Sequence, residues 1–208
     1  MADGLIIGSD GLPRCGWPGA HIDYLDYHDT EWGVATHDDV RLFEKLSLEA
    51  FQSGLSWLTI LRKRDNFRAA FAGFDPATVA SFGDRDVARL LADAGIVRHR
   101  GKIEAVIANA RACLDLVDDV GSLDAFVWQY APQARTAPAR IRDLPATSPE
   151  STALAKDLKR RGWRFVGPTT AYAFMQSMGL VNDHLAGCAF RDRGSLNRGR
   201  RAAVAAVQ

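Results

Sequence analysis

Hydrophobic positions recur at intervals of three and four residues along most of the chain, as in amphipathic helices that share one core. A clear run follows a Thr-x-x-Asp start signal at Thr36 and Asp39. Its apolar positions are Leu42, Phe43, Leu46, Ala50 and Phe51. This spacing predicts a helix that begins near Asp39 and continues beyond Phe51.

Start and stop residues mark further helices. Ser56 can cap a helix whose apolar face runs from Trp57 to Phe71, and Asp75 precedes Pro76 at a first helical position. The remaining helices are predicted from the stripe Ile103–Val117 and from the boundary residues Asp84, Gly95, Leu123, Tyr130, Ser148, Gly162, Pro168 and Gly179. No convincing alternating strand pattern is present, so the predicted fold class is all-α, a compact multi-helix domain.

The bulk composition fits an ordinary globular protein of 208 residues, with 47% hydrophobic and 25% charged positions. Residues 1–13 are expected to be a flexible tail and residues 191–208 a basic, disordered tail, which leaves a single domain over residues 14–190. No membrane span or signal peptide is expected, so the predicted location is cytoplasmic. The net charge of +1 identifies no partner, and any DNA binding must depend on local basic clusters.

Two cysteine–histidine pairs stand at opposite ends of the chain: Cys15 with His28, and His184 with Cys188. Two thiolates and two imidazoles are the ligand set of a closed tetrahedral zinc site, which leaves no position for water or substrate. Unrelated, scattered residues would explain the same pattern equally well at this point. The other histidines that could compete as ligands are His21, His37 and His99. Cys113 lies in an apolar helical stripe and is expected to be a buried core thiol.

A second candidate site is the segment L-E-A-F-Q-S-G-L-S-W, residues 48–57. Glu49 borders the apolar helix face, Gly54 and Leu55 form an exposed turn, and Trp57 begins the next helix. A carboxylate, an aromatic ring and an exposed apolar tip are what is needed to hold a flipped base and fill the gap that it leaves. A helix end with a core tryptophan and a solvated glutamate is the competing interpretation.

Aromatic residues are concentrated near the N-terminus, at Trp17, Tyr24, Tyr27 and Trp32. Tyr24 and Tyr27 are three residues apart and can share one helix face, next to the candidate ligand His28. Such a cluster could bind a positively charged aromatic ring, although each residue could also belong to the core.

The segment R-R-G-W-R-F-V-G-P-T-T, residues 160–170, has the pattern of a helix, a tight hairpin and a second helix that Pro168 opens. Free backbone N–H groups at such a hairpin can bind phosphate, and neighbouring basic residues add positive charge. Arg164 and Gly167 are the DNA contacts expected here. A helix corner with a solvated basic face remains the alternative.

Taken together, six motifs resemble the DNA-3-methyladenine glycosylase I family, within the helix-hairpin-helix glycosylase superfamily. They are R-C-G-W at 14–17, Y-H-D-T-E-W-G-V at 27–34, the 48–64 segment that begins L-E-A-F-Q-S-G-L-S-W, A-G-I-V-R-H-R-G-K-I at 94–103, R-G-W-R-F-V-G-P-T-T at 161–170 and G-L-V-N-D-H-L-A-G-C at 179–188. Ser53 stands where alanine is expected and Trp163 where phenylalanine is usual. The resemblance covers about Arg14 to Cys188.

This resemblance implies a helix-hairpin-helix glycosylase fold and one structural zinc ion per chain, which would join the N- and C-terminal segments. The zinc ligands would be Cys15, His28, His184 and Cys188. Glu49 would be the catalytic, base-contacting glutamate, and the Gly54–Leu55 turn would enter the DNA stack. The aromatic residues that line the base pocket would be Tyr24, Tyr27, Trp57 and Trp17.

The implied activity is excision of 3-methyladenine from alkylated double-stranded DNA by a monomeric, monofunctional glycosylase. Methylation at N3 already weakens the glycosidic bond, so Glu49 need only hold the cationic base while Trp57 and Tyr27 sandwich it and water attacks the sugar. No lysine nucleophile is required, and strand cleavage is not expected. Asp183 lies near the position of a catalytic aspartate in related enzymes but is not assigned that role. A zinc-stabilised DNA-binding module and a zinc hydrolase are the competing functions.

Overall fold

The computed structural model describes residues 3–193, and helices account for most of that range. The α-helices are α1 (Ile22–Thr30), α2 (Asp39–Gln52), α3 (Trp57–Arg62), α4 (Arg64–Ala70), α5 (Pro76–Ala80), α6 (Asp84–Ala92), α7 (Arg100–Val120), α8 (Leu123–Trp128), α9 (Pro149–Arg160) and α10 (Pro168–Ser177). Short 3-10 turns lie at Ala72–Phe74 and Ile141–Asp143. Within residues 3–193, no helix is both long enough and apolar enough to cross a membrane.

Capping side chains fix several of the helix starts. Ser56 accepts a hydrogen bond from the backbone N–H of Thr59 at 3.2 Å, and Ser148 caps α9 in the same way. Asp75 caps α5 ahead of its first-turn proline. These three predicted starts are confirmed. Helix α2 differs from prediction in its cap, which is Asp38 rather than Thr36.

The helix predicted to run from Trp57 to Phe71 is interrupted in the structure. Lys63 leaves the helical region with φ −101° and ψ 0°, so the run divides into α3 and α4. Its ammonium group donates to the carbonyl oxygens of Ala94 and Gly95 at 3.0 and 3.2 Å. The sequence period continues through the break because both short helices bury their apolar residues in the same core, and periodicity alone therefore could not locate it.

Part of the segment 1–13, expected to be a flexible tail, has regular structure among the described residues. Strand β1 (Leu5–Ile7) pairs antiparallel with β2 (Pro13–Cys15), and Leu5 lies opposite Cys15. The backbone oxygen of Asp3 also accepts a hydrogen bond from Ile141 at 2.9 Å. Strands of three residues are too short for alternation to be recognised, which explains why no strand was predicted here.

The described residues form two compact units. The terminal unit comprises the chain up to Thr36, Ala131–Ala146 and the chain from Met175. Its buried cluster is formed by Cys15, Leu185, Cys188 and Phe190, with Trp17 and Ile141 packed against it. Arg191, predicted to begin the disordered tail, is bonded to Asn182, whose side-chain N–H donates to the Arg191 backbone oxygen at 2.8 Å. The rest of that predicted tail, from residue 194, lies outside the described residues.

The helical unit comprises His37–Tyr130 and Thr147–Phe174. Fully buried aromatic rings dominate its core, and the Phe51 and Phe67 centroids lie 4.6 Å apart. Helix α7 packs against α2, α5, α6 and α8, and it contributes buried residues along most of its length, including Cys113 as predicted. The single domain predicted for residues 14–190 spans both units and stays a prediction.

Candidate functional site

Four buried side chains of the terminal unit converge on one point. Cys15 ends β2, His28 lies in the last turn of α1, and His184 and Cys188 belong to the segment after α10. Their ligand atoms all lie within 4.8 Å of one another. The sequence prediction that these residues come together is confirmed, and the group could hold a metal ion.

We call the four residues Cys15, His28, His184 and Cys188 the metal cluster. The distances between their ligand atoms can be compared with those of a tetrahedral site. The Sγ atom of Cys188 lies 3.7 Å from His28 Nε2 and 3.5 Å from His184 Nδ1, and Cys15 Sγ lies 3.8 Å from His184 Nδ1. Sulfur and nitrogen ligands of a tetrahedral zinc ion are separated by about 3.6 Å, given the usual bond lengths. These three sulfur–nitrogen distances match that separation, and all donor atoms of the four residues lie within 4.8 Å of one another.

The remaining nitrogen of each histidine has its own partner, which fixes the ring orientation. His28 Nδ1 lies 2.8 Å from an Asp29 carboxylate oxygen, and Asp29 also accepts two hydrogen bonds from the buried Arg14 Nε. His184 Nε2 lies 3.0 Å from the backbone oxygen of Trp32. Such outer contacts direct His28 Nε2 and His184 Nδ1 toward the cluster, as in metal sites generally.

The two thiols of the cluster have opposite pKa shifts because one proton lies between them. Hydrogen bonds from Cys15 and then from His184 and His28 lower the pKa of the Cys188 thiol well below its ordinary value. The hydrogen bond with Cys188 and burial raise the pKa of the Cys15 thiol, and the backbone N–H of Leu185, which donates to Cys15 Sγ at 3.3 Å, offsets part of this rise. The thiolate is the form that binds metal, so Cys188 is the sulfur ligand prepared for it.

The three competing histidines are not part of this cluster. His37 bonds to Asp124 at 2.7 Å and stacks on Trp128, whereas His99 accepts the Lys102 backbone N–H and caps α7. His21 is exposed at the N-terminus of α1.

The predicted aromatic cluster of the terminal unit is centred on Trp17. Its ring meets those of Tyr24 and Trp32 edge-on, with centroids 4.8 and 5.1 Å apart, and it lies 5.3 Å from the His28 ring. Tyr27 is 6.5 Å from both Trp17 and Tyr24. His28 belongs to the metal cluster and also contacts Trp17, so the metal cluster and the aromatic cluster are in direct contact.

Glu49 lies in the third turn of α2 and is 5% exposed, which rules out the solvated glutamate considered above. One carboxylate oxygen lies 2.7 Å from the Lys45 ammonium. That ammonium also lies 3.0 Å from the ring centroid of Trp57, at the start of α3. Lys45 was not among the predicted site residues; its four-residue spacing from Glu49 was the available signal.

The predicted apolar tip is present at the end of α2. Gly54 has φ +81°, a conformation that favours glycine, and the side chain of Leu55 is 42% exposed. A second residue that the sequence analysis missed supports this turn. Buried Lys102, in α7, donates to the backbone oxygens of Phe51 and Ser53 at 2.9 and 2.5 Å, which satisfies carbonyl groups that a helix end leaves unpaired.

Lys102→Met is expected to reduce the free energy of unfolding by about 1–3 kcal/mol, because it leaves the buried backbone carbonyl of Phe51 without this donor. Chemical denaturation measures this loss. The matched control is Lys63→Met, which removes a similar ammonium–carbonyl contact at a half-buried position and should cost less. Equal losses for the two variants would contradict the argument from burial.

The predicted hairpin connects α9 to α10. Its backbone is held by Asn109, whose side chain accepts from Arg164 N at 2.7 Å and donates to Arg164 O at 3.1 Å. The Arg164 side chain is exposed, and Gly167 O accepts the Ala171 N–H in the first turn of α10. Phe165 is exposed and has φ +53°, an unusual value for a bulky residue.

Asp183 is buried and already engaged within the terminal unit. It accepts hydrogen bonds from Gln176 at 2.9 Å and from Arg135 at 3.3 Å. The omission of Asp183 from the predicted catalytic set stays a prediction.

Comparison with known proteins places these residues in a family. The family model described as methyladenine glycosylase matches residues 17–192. The chain therefore belongs to the methyladenine glycosylase family. It is 49% identical over 180 residues to DNA-3-methyladenine glycosylase 1 of Escherichia coli (strain K12), across 85% of this chain and 96% of that protein. A DNA-3-methyladenine glycosylase of Haemophilus influenzae is 44% identical over 178 residues, across 84% of this chain and 96% of that protein.

Solved structures agree with this assignment. A crystal structure of 3-methyladenine DNA glycosylase I is 49% identical and matches with a TM-score of 0.82, covering 85% of this chain and 98% of that one. The Staphylococcus aureus enzyme, solved to explain 3-methyladenine recognition, is 36% identical with a TM-score of 0.82, covering 86% of this chain and 96% of that one. The helical fold predicted from the sequence is thus that of 3-methyladenine DNA glycosylase I.

Proposed function

We propose that this protein is a monofunctional DNA glycosylase that excises 3-methyladenine from alkylated double-stranded DNA in base excision repair. Its identity of 49% to the Escherichia coli DNA-3-methyladenine glycosylase 1, over nearly the whole of that enzyme, is the observation that carries the proposal. We expect the protein to act as a monomer in the cytoplasm and the residues from 14 to 190 to work as one glycosylase domain.

In this proposal Glu49 is the catalytic residue and contacts the base. Methylation at N3 makes adenine cationic and weakens its glycosidic bond, so the reaction needs charge stabilisation more than acid catalysis. A buried carboxylate beside the Trp57 ring can accept a hydrogen bond from the base while the indole stacks on it. Trp17, Tyr24 and Tyr27 are the other proposed base-binding residues. Water then attacks the sugar carbon, and no covalent lysine intermediate forms.

The competing functions fit the contacts less well. A DNA-binding module without chemistry has no need for a buried carboxylate at an aromatic ring, because burying such a charge is costly. A zinc hydrolase needs an open coordination position for water or substrate. The metal cluster offers four protein ligands, which would fill all positions of a tetrahedral zinc ion.

We propose that the metal is zinc, one per chain, held by Cys15, His28, His184 and Cys188. Two sulfur and two imidazole donors at tetrahedral spacing favour zinc over harder ions. When bound, the ion supplies a structural cross-link between β2, α1 and the segment after α10, and it takes no part in base removal. The same cross-link would hold the aromatic cluster around Trp17 in place.

Asp29→Asn is expected to weaken zinc affinity at least about 10-fold, because it removes the charge that orients His28. Competition with a chromophoric chelator measures the affinity. Asp26→Asn serves as the control, since Asp26 is exposed on the same helix and should bind zinc like the wild type. If both variants retained wild-type affinity, the proposed outer contact would be wrong.

The proposed DNA contacts are the Gly54–Leu55 turn, Arg164 and Gly167. The exposed leucine can fill the gap that an extruded nucleotide leaves, and the hairpin at Arg164 can bind a backbone phosphate in helix-hairpin-helix fashion. The proposal draws support from the exposure of Leu55 and Arg164 and from the tight backbone clamp at Asn109.

The activity is tested by incubating the purified protein with methylated DNA and separating the released bases by chromatography. The proposal predicts release of 3-methyladenine, with unmodified adenine retained in the DNA. Binding to the DNA without any released base would instead favour the DNA-binding module.

A further inference from the structure

Lys45 is a buried charge of the helical unit to which the proposed function gives no role. The Lys45 side chain is 6% exposed, and its ammonium contacts both the Glu49 carboxylate and the face of Trp57. These are the two groups to which the proposed function assigns the methylated base. A buried lysine is costly unless its charge is compensated, and both contacts contribute to that compensation.

A positively charged base requires the same two interactions as this ammonium. Each is a cation that can stack on an indole ring and pair with a carboxylate. Two cations cannot share the contacts without strong repulsion at such short distances. Lys45 and the methylated base therefore compete for one cation site, which is formed by Glu49 and Trp57.

We propose that Lys45 sets the affinity of the Glu49–Trp57 cation site: its ammonium fills the site, and a base must displace it to bind. This inference rests on the proposed function and explains why only a base that replaces both contacts binds well. A cationic base replaces the ion pair and the cation–π contact that the lysine loses, whereas neutral adenine replaces neither. Displacing the lysine costs both bases the same, so the preference for the cation comes from Glu49 and Trp57, and Lys45 raises the affinity threshold that any base must pass.

A matched pair of free bases tests the inference. The cationic probe is 3,9-dimethyladeninium, and the neutral probe is 9-methyladenine, which differs from it by one methyl group and the charge. Calorimetry on the full chain gives both dissociation constants for the wild type, Lys45→Met and Lys45→Arg. The methionine keeps the length of the side chain without its charge, and the arginine keeps the charge.

The wild type is expected to prefer the cation. In Lys45→Met both probes should bind about tenfold more tightly, because the competing cation–π contact of the lysine is lost, and the ratio of the two dissociation constants should stay the same. Lys45→Arg should bind both probes about as weakly as the wild type does. Unchanged affinities in Lys45→Met, or weaker binding of both probes, would overturn the inference and leave Lys45 a structural partner of Glu49.

A measurement on the wild type covers the case in which Lys45→Met does not fold. The Lys45 ammonium lies over the Trp57 ring, so the adjacent ε-methylene protons should show ring-current-shifted NMR signals. Saturation with the cationic probe should move these signals toward the values of an exposed lysine. Signals that keep their shift would contradict displacement. Release of 3-methyladenine from DNA together with an unmoved Lys45 would defeat this inference alone, whereas no release and no preference for the cation would defeat the proposed function with it.

Discussion

Glu49→Gln is expected to release 3-methyladenine from methylated DNA at least about 100-fold more slowly than the wild type, a loss typical of removing one preorganised electrostatic contact. The substitution keeps the size of the side chain but removes the negative charge that would stabilise the cationic base. It also ends the ion pair with Lys45. Single-turnover base release measures the effect, and circular dichroism checks that the helices persist.

Glu44→Gln is the matched control for this result. Glu44 is likewise 5% exposed on α2, but its carboxylate pairs with Arg68 at 2.9 Å. Loss of this ion pair should affect stability and leave base release near the wild-type rate. A Glu49→Gln variant as active as Glu44→Gln would remove Glu49 from the proposed mechanism.

Cys188→Ser is expected to abolish the binding of one zinc ion per chain and to lower the melting temperature. A zinc-finger peptide gains about 10–16 kcal/mol from its metal, but the helical unit here has an aromatic core of its own. Loss of the metal should therefore loosen the terminal unit and leave the helical unit folded. Hydrogen exchange with mass spectrometry distinguishes the terminal unit from the helical unit. Protection of backbone amides should fall around β2 and α1 and persist in α7.

Cys113→Ala controls for the loss of a thiol, because Cys113 is buried in α7 and is not a member of the metal cluster. It should keep a full zinc content. A chelator added to the wild type should reproduce the exchange pattern of Cys188→Ser. If α7 lost its protection at the same metal concentration as α1, the zinc ion would be essential to the entire fold.

The helices were predictable because their caps and apolar spacing are local properties of the sequence. Ser56, Asp75 and Ser148 each cap the helix expected of them. The β1–β2 pair was missed because short strands depend on a partner rather than on an internal pattern. The division between α3 and α4 was missed because Lys63 makes its contacts with residues about thirty positions away.

The candidate site was predictable where chemistry restricts the choice of residue. The two cysteine–histidine pairs were visible in the sequence, but the resemblance to a known family was needed to select these four residues over scattered ones, and the structure brings them together. The lysines at 45 and 102 could not be selected, because a lysine within a helix is ordinarily solvated. Only the fold brings Lys45 against Trp57 and Lys102 against the end of α2.

The most direct test of the central claim follows base release and strand integrity in one reaction on alkylated, supercoiled plasmid DNA. A monofunctional 3-methyladenine glycosylase should release 3-methyladenine into solution while the plasmid stays supercoiled, and strand breaks should appear only after alkali cleaves the abasic sites. Nicked plasmid before alkali treatment, or an intact plasmid with no released base, would contradict the account.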